Sequence, residues 1–334
     1  MQTYIVLIAC VILLLCLFFR VPVYISVFAA ALTYFLFQTG SSPAIIAQRI
    51  GGGIQSIPLL AIPFFICAGI FMNSSGVTKR IMNFCNVVTK RMTGGLGQVN
   101  VLLSTLMGGL SGSNLADAAM EAKILVPEME EKGYSKEFSS VLTATSAMIT
   151  PLIPPGIGMI LYGSIANVSI GKLFVAGIGI GVLLCISLMI MVHFISKKRG
   201  YQPATKEKQD PEEVKSAVKQ AILPLCLPIL IIGGIRIGIV TPTEAGTVAI
   251  VYALILGIIY KELKMSDVVD GLKESVATTA SIMMIVGGAS AFAWVLTKER
   301  IPQQLTEVIT SSISNKYVFL IIVILFLLVV GMFI

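Results

Sequence analysis

The sequence predicts an all-α integral membrane protein, built from two inverted repeats with interrupted helices and re-entrant helical hairpins. Three observations predict this fold: few charged residues, apolar segments interrupted by glycine and proline, and short motifs that recur at a constant offset. Of the 334 residues, 56% are hydrophobic and 12% are charged, and the mean hydropathy is +0.93. Soluble domains carry roughly 25% charged residues, so this chain has too little charge to cover a water-facing surface.

Nine apolar segments form the predicted membrane helices. A helix needs about 17–25 mostly apolar residues to cross a bilayer, and several of these segments are short or broken by glycine and proline, which is typical of secondary transporters. The first segment has no basic region or cleavage site, so we interpret it as a membrane helix rather than a signal peptide. The segments are residues 4–19, 21–37, 57–72, 138–153, 173–195, 217–235, 243–260, 276–296 and 317–334.

Basic residues orient the chain in the membrane. They are densest at Lys197–Arg199, followed by the polar linker 201–215, and loops rich in lysine and arginine face the cytoplasm. Counting the segments back from this linker places the N-terminus in the periplasm. The formal net charge of +7 is explained by such loops, so we expect no nucleic-acid partner. The six cysteines show no C-x-x-C spacing, and we expect neither disulfides nor a metal site from them.

Residues 96–123 are predicted to form a re-entrant hairpin. Their flanks, Lys90–Arg91 and the charged segment Glu121–Glu137, are both expected in the cytoplasm, so the segment must enter and leave from the same side. Its tip is the turn Ser111–Asn114. Non-helical backbone is tolerated at membrane depth only inside protein or beside a water-filled cavity. We therefore expect the tip to face a cavity.

The second half of the chain repeats features of the first. Pro22 opens an alanine-rich helix, and Pro242 opens another 220 residues later. Gly109, just before the hairpin tip, aligns with Gly331 at an offset of 222 residues. Five crossings in the first unit, an odd number, invert the second, as in many secondary transporters. A second hairpin would begin at about Gly331, so we expect the sequence to stop inside it, with the protein continuing.

These features predict a division of the chain into three parts. They are a first repeat at 1–200, containing scaffold helices at 1–40, the hairpin at 96–123 and a broken helix at 138–165, then the cytoplasmic linker 201–215, then a second repeat at 216–334.

The hairpin tip is the first candidate binding site. Carbonyl oxygens of unwound backbone and the hydroxyls of short side chains suit a sodium ion. The start of the following helix offers free N–H groups to a carboxylate. We assign Ser111, Gly112, Ser113 and Asn114 to sodium, and Ser113 and Asn114 also to substrate. The alternative is a small-residue patch for helix packing.

A second break follows in the helix at 138–165. Three prolines remove backbone donors and open the helix, which frees carbonyl oxygens for the same sodium ion. The predicted sodium ligands here are Thr150, Pro151, Pro154 and Gly156, with Pro155 in the same break. Thr145 lines the approach and is assigned to substrate. The alternative is a simple kink. Sodium, held mostly by backbone carbonyls, is the only metal ion expected, and no cofactor is expected.

Two acidic residues lie near these elements. Asp117 follows the hairpin tip by one turn, and Glu244 follows the Thr241-Pro242 motif. Acids at membrane depth are functional by default, so both are candidates for a supporting role. Either could instead cap the N-terminus of its helix.

An enzyme is a remote alternative. Gly109–Gly112 forms a G-x-S-G tetrapeptide like that of rhomboid intramembrane serine proteases, in which Ser111 would pair with the single histidine, His193. His193 lies four residues from Lys197, near the cytoplasmic surface, whereas the tip lies deep. No P-loop lysine follows the glycines, so we expect no ATP hydrolysis by this chain and infer that an ion gradient or a partner supplies the energy.

The whole chain resembles the large membrane subunit of tripartite ATP-independent periplasmic (TRAP) transporters. The resemblance is clearest in residues 108–174, which begin GGLSGSNLADAAMEAK, and in residues 238–257, GIVTPTEAGTVAIVYALILG. It implies the ion-transporter superfamily fold with an elevator mechanism in the bacterial inner membrane, and sodium-coupled import of carboxylates of the C4-dicarboxylate or sialic acid class.

The resemblance also implies partners and site residues. The partners would be a small four-helix membrane subunit, a periplasmic substrate-binding protein and membrane lipid. Ser111 to Asn114 would form the first hairpin tip, and Pro151 to Gly156 the helix break. Asn114 and Gly156 stand where the family leads us to expect a small residue and a serine. A stand-alone sodium–carboxylate symporter of the same superfamily remains the main alternative.

Overall fold

A computed structural model describes residues 2–38, 43–203, 210–312 and 315–332. These residues form fifteen α-helices and two 3₁₀ segments, and no strand occurs among them. The predicted all-α membrane fold is confirmed at this level. The chain divides into two compact units, Met1–Ser56 with Ala280–Ile334, and Ile57–Thr279.

The first unit combines the two ends of the chain. Its core packs Val6, Tyr34, Phe35 and Val295 together, and the ring of Phe35 stacks on Trp294 with centroids 5.4 Å apart. Its helices are α1 (Gln2–Phe18), α2 (Val23–Phe37), α3 (Pro43–Ile54), the second part of α13 (Met265–Lys298), α14 (Ile301–Ser312) and α15 (Lys316–Gly331).

The second unit carries both predicted helix breaks. Its 3₁₀ segments are Ile57–Leu60 and Ala147–Leu152. Its helices are α4 (Ala61–Ser74), α5 (Val77–Thr89), α6 (Gly95–Ser111), α7 (Asn114–Glu131), α8 (Lys136–Ser146), α9 (Ile157–Ile165), α10 (Ile170–Arg199), α11 (Pro211–Ile237), α12 (Pro242–Tyr260) and the first part of α13.

Within the described parts of the chain, five helical segments are long and apolar enough to cross a membrane. They are Ile57–Ser74, α10, α11, α12 and α13. A sixth arises if Lys136–Leu152 and Ile157–Ile165, which meet at a bend of 46°, form one broken span. The helices α1, α2 and α15 are apolar but shorter. The structure therefore supports a multi-pass membrane protein.

Helix α6 lies at the centre of the second unit. Nearly all of its residues are buried, and it packs against α4, α5, α7, α8, α10 and the 3₁₀ segment after α8. The most extensive packing in this unit joins α4 to α12. There, a Cβ on Gly246 would lie 2.8 Å from the Cβ of Phe64, so the glycine allows the two helices to approach closely.

Helix α11 begins inside the predicted linker 201–215. Pro211–Lys215 already belong to α11, because Asp210 caps that helix: its Oδ1 accepts a hydrogen bond from the backbone N–H of Glu212 at 3.0 Å. Proline at the first helical position and aspartate at the cap are a strong start signal. Residues 204–209 lie outside the described residues, as do residues 333–334, where the predicted second hairpin tip would continue.

Candidate functional site

The first helix break lies between α6 and α7. Gly112 has a φ of +62°, a left-handed conformation that favours glycine, and a Cβ there would lie 2.6 Å from the carbonyl oxygen of Pro155. Ser113 then caps α7, since its Oγ accepts a hydrogen bond from the backbone N–H of Ala116 at 3.4 Å. One helix thus ends and the next begins within two residues.

The two helices that flank this break lie side by side. The hydroxyl of Ser104 on α6 lies 2.8 and 2.7 Å from the two carboxyl oxygens of Glu121 on α7. The two residues are 17 positions apart, which would separate them by about 25 Å along one straight helix. The chain therefore turns back at the tip. The membrane face from which it enters stays a prediction.

The second helix break follows α8. The 3₁₀ segment Ala147–Leu152 leads into Pro154 and Pro155, which are joined by a cis peptide bond, before α9 begins. A Cβ on Gly156 would lie 2.2 Å from the carbonyl oxygen of Pro151. The serine that the family resemblance led us to expect at this position would therefore require the backbone to shift.

Asp117 joins the two breaks. Its Oδ2 accepts a hydrogen bond from the hydroxyl of Ser111 at 2.7 Å and another from the hydroxyl of Thr150 at 2.9 Å. Its side chain is fully buried. Thr150 is 33 positions away in sequence, so the fold brings the end of α6, the start of α7 and the 3₁₀ segment to one carboxylate.

This carboxylate is only half satisfied. Oδ1 of Asp117 is buried and accepts no hydrogen bond from a described residue, and Asp117 forms no ion pair within the described ranges. Among the same residues, no three His, Cys, Asp or Glu side chains come together as metal ligands. The groups that contact the carboxylate of Asp117 are the hydroxyls of Ser111 and Thr150, and oxygen atoms suit a hard cation rather than a transition metal.

Comparison with known proteins decides the family. Residues 10–334 match the family described as "Tripartite ATP-independent periplasmic transporter, DctM component". The chain belongs to this family. Its members are transporter components, so the chain is a transport protein and not an enzyme.

Three curated relatives of this chain are named as TRAP permeases. The sialic acid TRAP transporter large permease protein SiaM of Vibrio cholerae is 41% identical over 319 residues, which cover 95% of this chain and 74% of that protein. The sialic acid permease SiaT of Haemophilus influenzae is 38% identical, over 98% of this chain and 53% of its own length. The 2,3-diketo-L-gulonate TRAP transporter large permease YiaN of Escherichia coli is 36% identical, over 86% and 68%.

The remaining predicted ligands of this TRAP permease lie at the edges of the two breaks. Asn114 is exposed, and its Oδ1 accepts a hydrogen bond from the N–H of Leu115 at 3.0 Å. Thr145 is partly exposed on α8, two residues before the 3₁₀ segment, and its hydroxyl donates to the carbonyl of Val141 at 2.7 Å. Their roles as substrate ligands stay predictions.

Glu244 caps a helix. It forms a capping box with Thr241, in which the backbone N–H of Thr241 donates to the glutamate Oε2 at 2.7 Å and the N–H of Glu244 donates to the threonine hydroxyl. The side chain is exposed. All of its hydrogen bonds go to Thr241, so this geometry favours the capping alternative.

The geometry of Ser111 also excludes a serine protease. Its hydroxyl donates to Asp117, whereas His193 is exposed on α10 and lines a cavity with Gln98. Gln98 and Ser111 lie 13 residues apart on α6, which is about 20 Å along the helix. Ser111 therefore has no histidine within reach.

Two buried polar groups were missed from the sequence. Glu121, expected to begin a cytoplasmic segment, is fully buried against Ser104; the side of the membrane on which that segment lies stays a prediction. Asn100 is buried too, between hydroxyls of α8: it donates to Thr143 at 2.8 Å and accepts from Ser146 at 2.6 Å. The sequence did contain a signal for this buried polar face of α6. Residues 4, 7 and 11 positions apart lie on one face of a helix, and this is the spacing of Asn100, Ser104 and Ser111.

A cavity of about 550 Å³ lies at the opposite end of α6 from the tip. It is lined by Asn86, Lys90, Lys132, Tyr134 and Arg199, among others. Lys90 is paired there with Glu213 at 2.8 Å. This polar end of the unit fits a water-facing surface. The cavity expected at the hairpin tip stays a prediction.

Proposed function

We propose that this permease imports a small carboxylate across the bacterial inner membrane, driven by sodium and moving by an elevator mechanism. The observation that carries the proposal is the geometry of Asp117. Its buried carboxylate joins the hairpin tip to the proline break and keeps one oxygen without a hydrogen-bond donor.

The charge of this carboxylate supports the proposed sodium coupling. A buried acid without a cation is costly, because desolvation is not repaid by an ion pair. A sodium ion beside Oδ1 of Asp117 would supply that charge, and carbonyl oxygens of the two breaks, around Gly112 and Gly156, would complete its shell. The same ion would fasten the hairpin to the broken helix before any movement.

The substrate class follows from the start of α7. The first turn of a helix offers unpaired N–H groups and a positive dipole end, which bind carboxylates. Ser113 and the exposed Asn114 stand at this end, and Thr145 lies on α8. Two relatives carry sialic acid in their names, and another carries 2,3-diketo-L-gulonate; sialic acid is the class we favour, with C4-dicarboxylates as the other.

The partners follow from the family. We propose a small four-helix membrane subunit and a periplasmic substrate-binding protein, with the N-terminus of the chain in the periplasm. All proposed site residues lie in the unit Ile57–Thr279, whereas the proposed scaffold helices at 1–40 belong to the other unit. An elevator needs such a separation between the part that carries the site and the part that stays in place.

The test is substrate uptake into proteoliposomes as a function of sodium concentration. Asp117→Asn keeps the shape of the site and removes its charge, so we expect uptake that no longer responds to sodium. Asp270→Asn is the matched control, because Asp270 is 73% exposed and its one ion pair among the described residues is with Lys273. Unchanged sodium dependence in Asp117→Asn would contradict the proposal.

The same uptake experiment, done with and without the two partner proteins, distinguishes the tripartite transporter from the main alternative. Uptake by the permease alone would favour a stand-alone sodium–carboxylate symporter. Uptake that requires the small membrane subunit and a binding protein supports the tripartite transporter.

A further inference from the structure

Glu121 is a second buried acid in the hairpin, one helical turn beyond Asp117. Its side chain and that of Ser104 are both fully buried. The Ser104 hydroxyl oxygen lies within hydrogen-bond distance of both carboxyl oxygens, at 2.8 and 2.7 Å. This contact joins the two arms of the hairpin below the tip.

The number of protons in this contact bears on the charge of Glu121. A serine hydroxyl donates one hydrogen bond and accepts up to two, whereas an ionised carboxylate only accepts. With an ionised Glu121, only one of the two short oxygen–oxygen contacts holds a proton. With a protonated Glu121, the acid donates to Ser104 while Ser104 donates to the other carboxyl oxygen, and both contacts are hydrogen bonds.

The surroundings of Glu121 supply no positive charge. It forms no ion pair in the part of the chain that the structure describes. No residue of α6 or of the 3₁₀ segment Ala147–Leu152 has an ionisable side chain. On α8, Lys136 and Glu137 are exposed in the first turn. The nearby ionisable groups are the thiol of Cys85 on α5 and the carboxyl of Asp117, neither of which is a cation.

We propose that Glu121 is a proton-binding site, and that the closed hairpin holds one proton between Glu121 and Ser104. A neutral, hydrogen-bonded carboxyl is far cheaper to bury than a carboxylate without a counter-charge. Opening the contact to water releases the proton, so that closing the hairpin takes a proton up. This proposal does not rest on sodium coupling or on the identity of the substrate.

Infrared spectroscopy of the purified permease tests the proton directly. A protonated carboxyl has a carbonyl stretch well separated from the bands of a carboxylate. We expect this band at neutral pH in the wild type and its loss in Glu121→Gln, whereas Glu130→Gln, an exposed glutamate on the same helix, keeps it. Ser104→Ala should move the band to higher frequency, because the acid loses its partner.

Three outcomes would overturn the proposal. The first is a wild-type spectrum without the band. The second is a band that survives Glu121→Gln and disappears in Asp117→Asn, which would place the proton on Asp117. The third is a band present in potassium buffer and absent in sodium buffer, because a sodium ion rather than a proton would then neutralise Glu121. None of these readouts depends on uptake, so failure of the proposed function would leave this test intact.

Thermal stability gives an independent measurement. An exposed glutamate in the unfolded chain releases its proton near a pH of about 4.3, so a folded state that keeps the proton loses stability as pH rises. Between about pH 5 and pH 7 we expect the melting temperature of the wild type to fall on the order of 2 °C per pH unit more than that of Glu121→Gln. Equal slopes would contradict the proposal.

Discussion

Two helix starts in this permease look alike in sequence and differ in what their acids do. At the start of α7, Ser113 caps the helix and Asp117 follows; at the start of α12, Thr241 caps it and Glu244 follows. Glu244 is exposed and accepts a hydrogen bond from the backbone N–H of Thr241, the residue that caps its own helix. Asp117 is buried and accepts hydrogen bonds from hydroxyls of two other segments. Position in a helix therefore does not decide the role of an acid; the elements packed around it do.

The glycines that precede the two helix starts should show the largest difference. Gly112→Ala combines a left-handed φ with a Cβ 2.6 Å from a backbone oxygen, so we expect a loss of about 2–4 kcal/mol in stability. Gly238 has a φ of +79° with no atom within 4 Å, and Gly238→Ala should cost only about 1 kcal/mol. Chemical or thermal unfolding of the two variants measures the difference, and equal losses would refute it.

The hydroxyl partners should show a smaller difference. Thr150→Val leaves Asp117 with one donor fewer, which we expect to cost about 1–3 kcal/mol and to raise the sodium concentration for half-maximal uptake about tenfold. Thr241→Ala removes a helix cap and should cost about 1 kcal/mol, with sodium dependence unchanged. Sodium titrations of uptake compare the two. A similar shift in both variants would mean that the two helix starts do not differ in function.

Glu244 itself should show the smallest effect. Glu244→Gln keeps a side chain that can accept from the N–H of Thr241 and loses only the charge at the helix start, which contributes about 0.3–1 kcal/mol at an exposed site. Uptake and its sodium dependence should be those of the wild type. A large loss of sodium response in this variant would show that the exposed capping geometry understates its role.

The sequence allowed both helix breaks of the candidate site to be located, because the signals were local. Glycine at 112 and proline at 151, 154 and 155 break helices through their own backbones, and both breaks lie where we expected them. Asp117 was recognised as a candidate, but its bond to Thr150 was not, because that contact joins residues 33 positions apart. The burial of Glu121 against Ser104 was not foreseen, since a short charged segment after an apolar one has the same pattern whether its first residue is buried or exposed.

By itself, the sequence determined the membrane class, the helical architecture and the positions of the two breaks. These properties depend on composition and on steric limits within a few neighbouring residues. Only the tertiary structure decided which acidic side chains are buried. It also decided that Ser104 contacts Glu121, and that Asp117 accepts hydrogen bonds from both helix breaks. Such contacts depend on how helices far apart in the chain pack against one another, and a residue's immediate neighbours in sequence carry no record of that packing.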